Sequence, residues 1–329
     1  MPQRRVIVSA PLPAELRKQI EAQCEIVDLP VGQNPAEFLS KEQKDGIEGI
    51  LCTMRTKIDK AVLQAFPRLR VVSNFAVGFD NVDLAAATSS NVLVCNTPKV
   101  LDGAVADLTL GLILAVVRNM VACDAFVRSG AWARGAAPLT HDIRGKTLGL
   151  LGMGRIGRLV AKTAQAFDMR VIYHNRNRDA DAEGWAQYTD RDALFAESDV
   201  VSIHIPLNAE TRHSVGAREF ALMKPTAYLI NTARGPVIDE AALISALKEN
   251  RIAGAGLDVM EQEPLPASSP LCALPNVVLQ AHVASATVET RRAMIDLAAR
   301  NLLDAISGTR PVAMVNPEVW SAAAEATNA

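Results

Sequence analysis

Four short segments in the middle and second half of the chain carry the side chains best suited to chemistry. In the first, the apolar run Leu148–Leu151 leads directly into Gly152-Met153-Gly154-Arg155-Ile156-Gly157, and a helical pattern continues to Phe167. A strand that ends in GxGxxG and opens a helix suits a dinucleotide diphosphate. Gly152 serves the tight turn, Gly154 lets the backbone approach the phosphates, and Gly157 lets the helix pack on the strand. The unbonded N–H groups and positive end of that helix face the negative charge. The other three segments each close a strand with polar residues: Asn231-Thr232-Ala233-Arg234-Gly235, Gly256-Leu257-Asp258-Val259 with Glu261 and Glu263 following, and His282-Val283-Ala284-Ser285. They offer a permanent cation (Arg234), a carboxylate (Glu263, with Glu261 competing) and an imidazole (His282). An arginine can hold a substrate carboxylate and polarise a carbonyl. A histidine beside a carboxylate keeps its proton near neutral pH and can deliver it as a general acid.

The end of the next strand bears on cofactor choice. An NAD site normally places Asp or Glu about 20 residues past the glycines, on the ribose 2′-hydroxyl. Here the sequence reads Tyr173-His174-Asn175-Arg176-Asn177-Arg178-Asp179, with no carboxylate at 174–176 and two arginines. A guanidinium suits a 2′-phosphate. Asn175, Arg176 and Arg178 thus predict NADP(H) as the preferred cofactor and NAD(H) as the second choice. Arg176 stands nearest the strand end, and Asp179 is expected to neutralise Arg178 in part.

These segments need a scaffold of alternating strands and helices. Strand patterns fall at Arg5–Ser9, Ile47–Cys52, Leu69–Asn74, Asn91–Cys95, Thr147–Leu151, Arg170–His174, Asp199–Ile205, Ala227–Asn231, Ile252–Val259 and Asn276–Gln280. Helical or mixed segments separate most of them, the pattern of parallel sheets built from βαβ units. So many strands imply two sheets. The natural break is the long helical region from Asp102 to about Ala131, followed by a loop to Arg144. The helical pattern from Thr287 to Ile306 could cap the second sheet or cross back to the first. The tail after Trp320 is small and polar enough to be loosely ordered.

Composition narrows the function classes. With 329 residues, about two domains are expected. Lys plus Arg number 34 against 36 for Asp plus Glu, a net charge of -2, which argues against nucleic acid or an anionic membrane as partner. Five scattered cysteines without CxxC suggest neither a disulfide framework nor a zinc site, and no Asp/His cluster has metal-ligand spacing. The uncharged run Leu108–Val117 is too short for the roughly 20 residues a bilayer demands. The apolar 102–131 region instead predicts a buried helix at a domain or subunit interface.

In order along the chain, VGFDNVD (Val77–Asp83), the helix AVADLTLGLIL, GMGRIG, HIPLNAETRH (His204–His213), NTARG, GLDVMEQEP (Gly256–Pro264) and HVASAT resemble the D-isomer-specific 2-hydroxyacid dehydrogenases. The resemblance spans most of the chain. It implies an α/β fold of two Rossmann-like, doubly wound parallel-sheet domains with a cleft between them. The substrate-binding domain would be discontinuous, 1–99 plus 286–329, and the dinucleotide-binding domain would occupy 100–285, so that the 287–306 helix crosses back. Arg234 would bind the substrate carboxylate and 2-oxo oxygen, and His282 would be the proton donor. Glu263, which precedes Pro264 as the family pattern requires, would pair with His282 and raise its pKa. The N–H groups of Val77 and Gly78 would hold the substrate carboxylate. Asp258 and Thr232 would contact the nicotinamide side, with Ala233 and Thr109 beside them, while Arg155, Ile156, His204, Pro206 and Thr211 would line the dinucleotide. His141 and His213 read as loop residues, and Arg55 and Asn74 as candidates to reach the substrate.

The expected protein is a cytoplasmic homodimer that reduces glyoxylate- or hydroxypyruvate-type 2-oxo acids to D-2-hydroxy acids with NADPH. One alternative is an NAD-dependent D-2-hydroxyacid dehydrogenase of another substrate. The lack of an added regulatory domain counts against a phosphoglycerate type, and a carboxylate rather than an amide at Glu263 against a formate type. The other alternative is a dinucleotide-sensing, corepressor-like binding protein, against which the lack of an interaction tail counts.

Overall fold

The computed structural model describes residues 4–182 and 184–320. The tail after Trp320, expected to be loosely ordered, lies outside the described residues. The described chain divides into two compact units, one drawn from Met1–Leu101 and Val288–Ala329, the other from Asp102–Thr287.

In the first unit, β1 (Arg4–Val8), β2 (Cys24–Asp28), β3 (Ile47–Cys52), β4 (Val71–Asn74) and β5 (Leu93–Cys95) form one sheet. Its order is β2-β1-β3-β4-β5, and every neighbouring pair is parallel. Strands covered by helices on both faces need nearly continuous apolar runs, and β4 is buried along its whole length. β2 escaped sequence reading for the converse reason: it is an edge strand whose CEIVD pattern leaves most positions partly open. The helix Val288–Ser307 lies in this unit. Its fully buried Leu302 packs over Gly49, where a Cβ would fall 2.6 Å from Leu302 Cδ1. Ser73 Oγ donates to the Ala298 carbonyl at 2.7 Å. The Ile306 carbonyl accepts from Arg4 at 2.7 Å and from Arg70 at 3.2 Å, so two cations meet the negative end of the helix.

The second unit adds β6 (Thr147–Leu151), β7 (Arg170–His174), β8 (Gln187–Tyr188), β9 (Val200–Ile203), β10 (Tyr228–Asn231), β11 (Gly254–Leu257) and β12 (Val277–Leu279). They pair in the order β12-β11-β10-β9-β6-β7-β8, all parallel. Period-two alternation sorts the strand residues onto two faces. Leu148, Leu150, Val171 and Tyr173 pack with the helices Asp102–Val117 and Arg155–Ala166. Leu151, Ile172, Val201 and Leu229 pack on the other side with Leu194, Phe220 and Leu243. The two-residue edge strand β8 was too short to leave a pattern.

The helical stretch expected to run on from Asp102 to about Ala131 is broken. Asp102–Val117 and Met120–Arg128 meet at 60°, because Arg118 and Asn119 interrupt the apolar run and Asn119 adopts φ 49°, a left-handed conformation that asparagine tolerates. The second helix buries none of its residues. Among the described residues, no single helix is long and apolar enough to cross a membrane. All five cysteines are free thiols, and burial, joined at Cys95 by the nearby Asp304, pushes Cys52 and Cys95 up to about 12.

Because Leu302 is wholly enclosed, Leu302→Ala should lower unfolding stability by about 2–5 kcal/mol. Urea denaturation would check this, and a loss of under about 1 kcal/mol would mean the site collapses around the missing side chain.

Candidate active site

In the second sheet the strand order reverses between β6 and β9, and a crevice opens beyond the carboxyl ends of strands at such a point. There the chain turns through Gly152 at φ 108°, where a Cβ would lie 2.8 Å from the His204 carbonyl. A Cβ at Gly157 would meet the Gly152 oxygen at 2.3 Å, whereas nothing lies within 4 Å of a Cβ placed on Gly154. The loop is therefore packed shut on one side and open on the other, at the N-terminus of the helix Arg155–Ala166, which no side chain caps. Its first N–H groups are left for an anion. This cradle fits a dinucleotide diphosphate, and Gly152, Gly154, Arg155, Ile156 and Gly157 would hold it.

Arg155 Nε donates to Asp102 Oδ2 at 2.8 Å, from the first residue of the helix Asp102–Val117. Sequence spacing gave no sign of this partner, which lies more than 50 positions away. Further along that helix, Thr109 Oγ1 and Thr232 Oγ1 share a buried hydrogen bond of 2.8 Å, tying the helix to the loop after β10.

At the other end of the crevice, Asn175 Oδ1 accepts the Met153 N–H at 2.7 Å, so a neutral side chain steadies the glycine loop just past β7. The Arg176 side chain is 86% exposed and lies 3.8 Å from Glu210. Asp179, expected near Arg178, accepts from Arg158 at 2.6 Å. The turn after β9 closes on itself, with Thr211 Oγ1 donating to the Pro206 carbonyl at 2.6 Å. Burial pushes His204 down to about 4, so its imidazole is neutral, and its Nε2 meets Ser202 Oγ at 2.9 Å.

Arg234, Glu263 and His282 follow β10, β11 and β12 respectively. His282 Nδ1 and Glu263 Oε2 lie 2.6 Å apart, with 32% and 33% of the side chains exposed. Burial opposes the charge on Glu263. The His282 hydrogen bond and charge, the Met260 N–H and the Arg234 charge outweigh it, and hold the carboxyl below its ordinary 4.5. His282 has φ 56°, a conformation that needs support in a non-glycine residue. Asp258 supplies it: its carbonyl accepts the His282 N–H at 2.8 Å, and its wholly buried carboxylate accepts the Val283 and Ala284 N–H groups at 2.7 and 2.9 Å. Asp258, expected on the nicotinamide side, thus spends both oxygens on the turn that carries His282. Gly235 brings the other two residues into register, since a Cβ there would overlap the Met260 carbonyl at 1.9 Å. Glu261, the competing carboxylate, pairs with His213, and its N–H donates to Glu240 at 2.9 Å. His213 is therefore more than a loop residue: it braces the segment that bears Glu263.

In the first unit, Val77 and Gly78 stand partly open on the loop after β4. Arg55 is exposed on the loop after β3. Asn74 is 0% exposed, which removes it from direct contact with a substrate.

Residues 110–284 match the family model for the D-isomer specific 2-hydroxyacid dehydrogenase, NAD binding domain. The chain is 49% identical over 278 residues to a glyoxylate reductase of Thermofilum pendens, covering 83% of this chain and 82% of that one. It is 43% identical over 323 residues to a glyoxylate reductase of Thermococcus litoralis, covering 96% and 97%. Among solved structures it is similar to an NADPH-dependent glyoxylate/hydroxypyruvate reductase from Sinorhizobium meliloti, in complex with NADP and malonate. The TM-score is 0.87 and the identity 35%, over 95% of this chain and 97% of that one.

A carboxylate whose folded pKa lies below its unfolded one stabilises the fold fully above the unfolded value and loses that contribution as pH falls through the folded one. The parent should therefore melt above Glu263→Gln near neutrality, with the gap closing as pH drops below the ordinary 4.5. Scanning calorimetry at several pH values would test this, and a gap of constant size down to about pH 2 would rule it out.

Proposed function

The chain belongs to the D-isomer-specific 2-hydroxyacid dehydrogenases, and from that premise we propose that this NAD(P)-dependent oxidoreductase reduces small 2-oxo acids of the glyoxylate and hydroxypyruvate type to D-2-hydroxy acids, with NADPH preferred. The observation that carries the reading is the 2.6 Å contact between His282 and Glu263, at the strand ends that also bear the open glycine cradle. When bound, the nicotinamide supplies a hydride from its C4 to C2 of the oxo acid.

The chain's own groups do the rest. Arg234 holds the substrate's carboxylate and 2-oxo oxygen and stabilises the negative charge that gathers on that oxygen. His282 gives its proton to the same oxygen, which completes the hydroxyl, and Glu263, 2.6 Å from Nδ1, keeps the imidazole oriented. The Val77 and Gly78 N–H groups take the carboxylate. In the cofactor half, Thr109, Thr232 and Ala233 serve the nicotinamide side, with Asp258 acting there through the His282 turn. His204, Pro206 and Thr211 border the dinucleotide, while Asn175, Arg176 and Arg178 serve the adenosine ribose.

Preference for NADPH follows from the absence of an acid at 174–176, which in an NAD enzyme would repel a 2′-phosphate. An exposed arginine can turn from Glu210 to that phosphate at little cost, since pairs of this exposure contribute little. We also place the protein in the cytoplasm as a homodimer. Met120, Val121 and Val127 are 55, 58 and 51% exposed, with Trp132 at 67% and Leu139 at 98%. A group of large apolar side chains left in water marks a contact surface.

Steady-state kinetics with glyoxylate and hydroxypyruvate should give NADPH an advantage in kcat/KM of about tenfold or more, lost in Arg176→Ala. His282→Ala should cost about 10²–10⁴-fold in turnover while cofactor binding holds. An NADH preference would refute the cofactor assignment, and near-native turnover of His282→Ala would refute the proton donor. Sedimentation at micromolar concentration should show twice the chain mass of 35.2 kDa, and a monomer would refute the dimer.

A further inference from the structure

The loop after β4 has its two kinds of backbone group treated in opposite ways. Asn74 Nδ2 donates to the Gly78 carbonyl at 2.8 Å, and Asn96 Nδ2 donates to the Val77 carbonyl at 2.8 Å. Each clamp is itself held. Asn81 exchanges hydrogen bonds with Asn74 at 3.2 and 3.3 Å and donates to the Thr56 carbonyl at 2.9 Å. Asn301, wholly buried on the helix Val288–Ser307, donates to the Asn96 carbonyl at 3.1 Å. The neighbouring N–H groups are also spoken for, Phe75 on the Cys52 carbonyl at 2.7 Å and Ala76 on the Asn74 carbonyl at 2.8 Å. Among the described residues, the Val77 and Gly78 N–H groups donate to nothing.

We propose that Asn74 and Asn96 are positioning residues for the substrate: by gripping the Val77 and Gly78 carbonyls they aim the two N–H groups as a preformed cradle for the carboxylate of the 2-oxo acid. This rests on the reading of the protein as a 2-oxo acid reductase. Adjacent N–H groups presented together form an anion-binding concavity. The clamps are amides, which hold the loop without setting a negative charge behind it. An aspartate at either place would present oxygen to oxygen at the carbonyl and repel the substrate. Fixing the cradle in advance spares the substrate the cost of ordering it.

The test uses Asn74→Ala and Asn96→Ala with oxamate, a carboxylate-bearing mimic of a small 2-oxo acid, titrated calorimetrically into the NADPH-loaded protein. An unclamped carbonyl and a mobile loop should raise the oxamate Kd and the KM for glyoxylate by about tenfold. The fall in kcat should stay under about threefold, because the groups acting on the oxo oxygen are untouched. The NADPH Kd should not move, a result that general loss of structure would not give. Asn96→Ala, at a part-buried position, decides the matter if Asn74→Ala does not fold. Variants that bind oxamate as tightly as a parent that binds it well would overturn the clamp alone. A parent that neither binds oxamate nor reduces a 2-oxo acid would overturn both the clamp and the reading beneath it.

Discussion

Where Gly235 passes Met260 there is no room for even one extra carbon, since a Cβ would sit 1.9 Å from the Met260 oxygen. Two strand-end loops touch backbone to backbone at this point, and their contact sets the spacing of Arg234 from the segment bearing Glu263. The third member of the group is fixed from the other side, by the Asp258 carboxylate on the N–H groups after His282. The cation, carboxylate and imidazole are thus located by main-chain contacts and by one buried acid. Such contacts leave little freedom, which is what a site must have if its geometry is to be set before substrate arrives.

The cofactor half is arranged with a different emphasis. At the glycine loop, packing closes one side, and positive charge comes from a helix terminus and from Arg155, itself held on Asp102. Past β7 the structure is looser: Asn175 is tied to the loop, but Arg176 stands in solvent. On the proposed reading, the part common to nicotinamide dinucleotides would meet closely packed backbone. On the same reading, the part that differs between them would meet exposed side chains such as Arg176, which sequence change can alter without disturbing the fold.

Much of this was legible in the sequence because it depends on neighbours along the chain. Interior parallel strands are apolar over most of their length, so β3, β4, β6 and β9 announced themselves, and the glycine spacing marked the turn after β6. The edge strands β2 and β8 did not, since half-covered or very short strands lack that pattern. Single residues inside an otherwise helical run were also misleading: Asn119 ends one helix and starts another where composition suggested continuity. Contacts between distant positions were out of reach altogether. Nothing in the spacing of Asp102 and Arg155, of His213 and Glu261, or of Val77 and Asn96 reveals that they meet, and the sequence marked Asn74 only as a candidate to reach the substrate.

The first unit is closed by the helix Val288–Ser307, late in the chain. Leu302 and Ile306 lie over Gly49 in β3, and the Ala298 carbonyl receives the Ser73 hydroxyl of β4. During synthesis, therefore, the opening hundred residues emerge with one face of their sheet bare, and they wait through the whole of the second unit for the segment that covers it. The second unit is continuous and needs no such delayed partner. Order of emergence makes the dinucleotide-binding half the earlier to mature. The first unit is the more exposed to wrongful pairing in the interval, because its closure spans nearly the full length of the polypeptide.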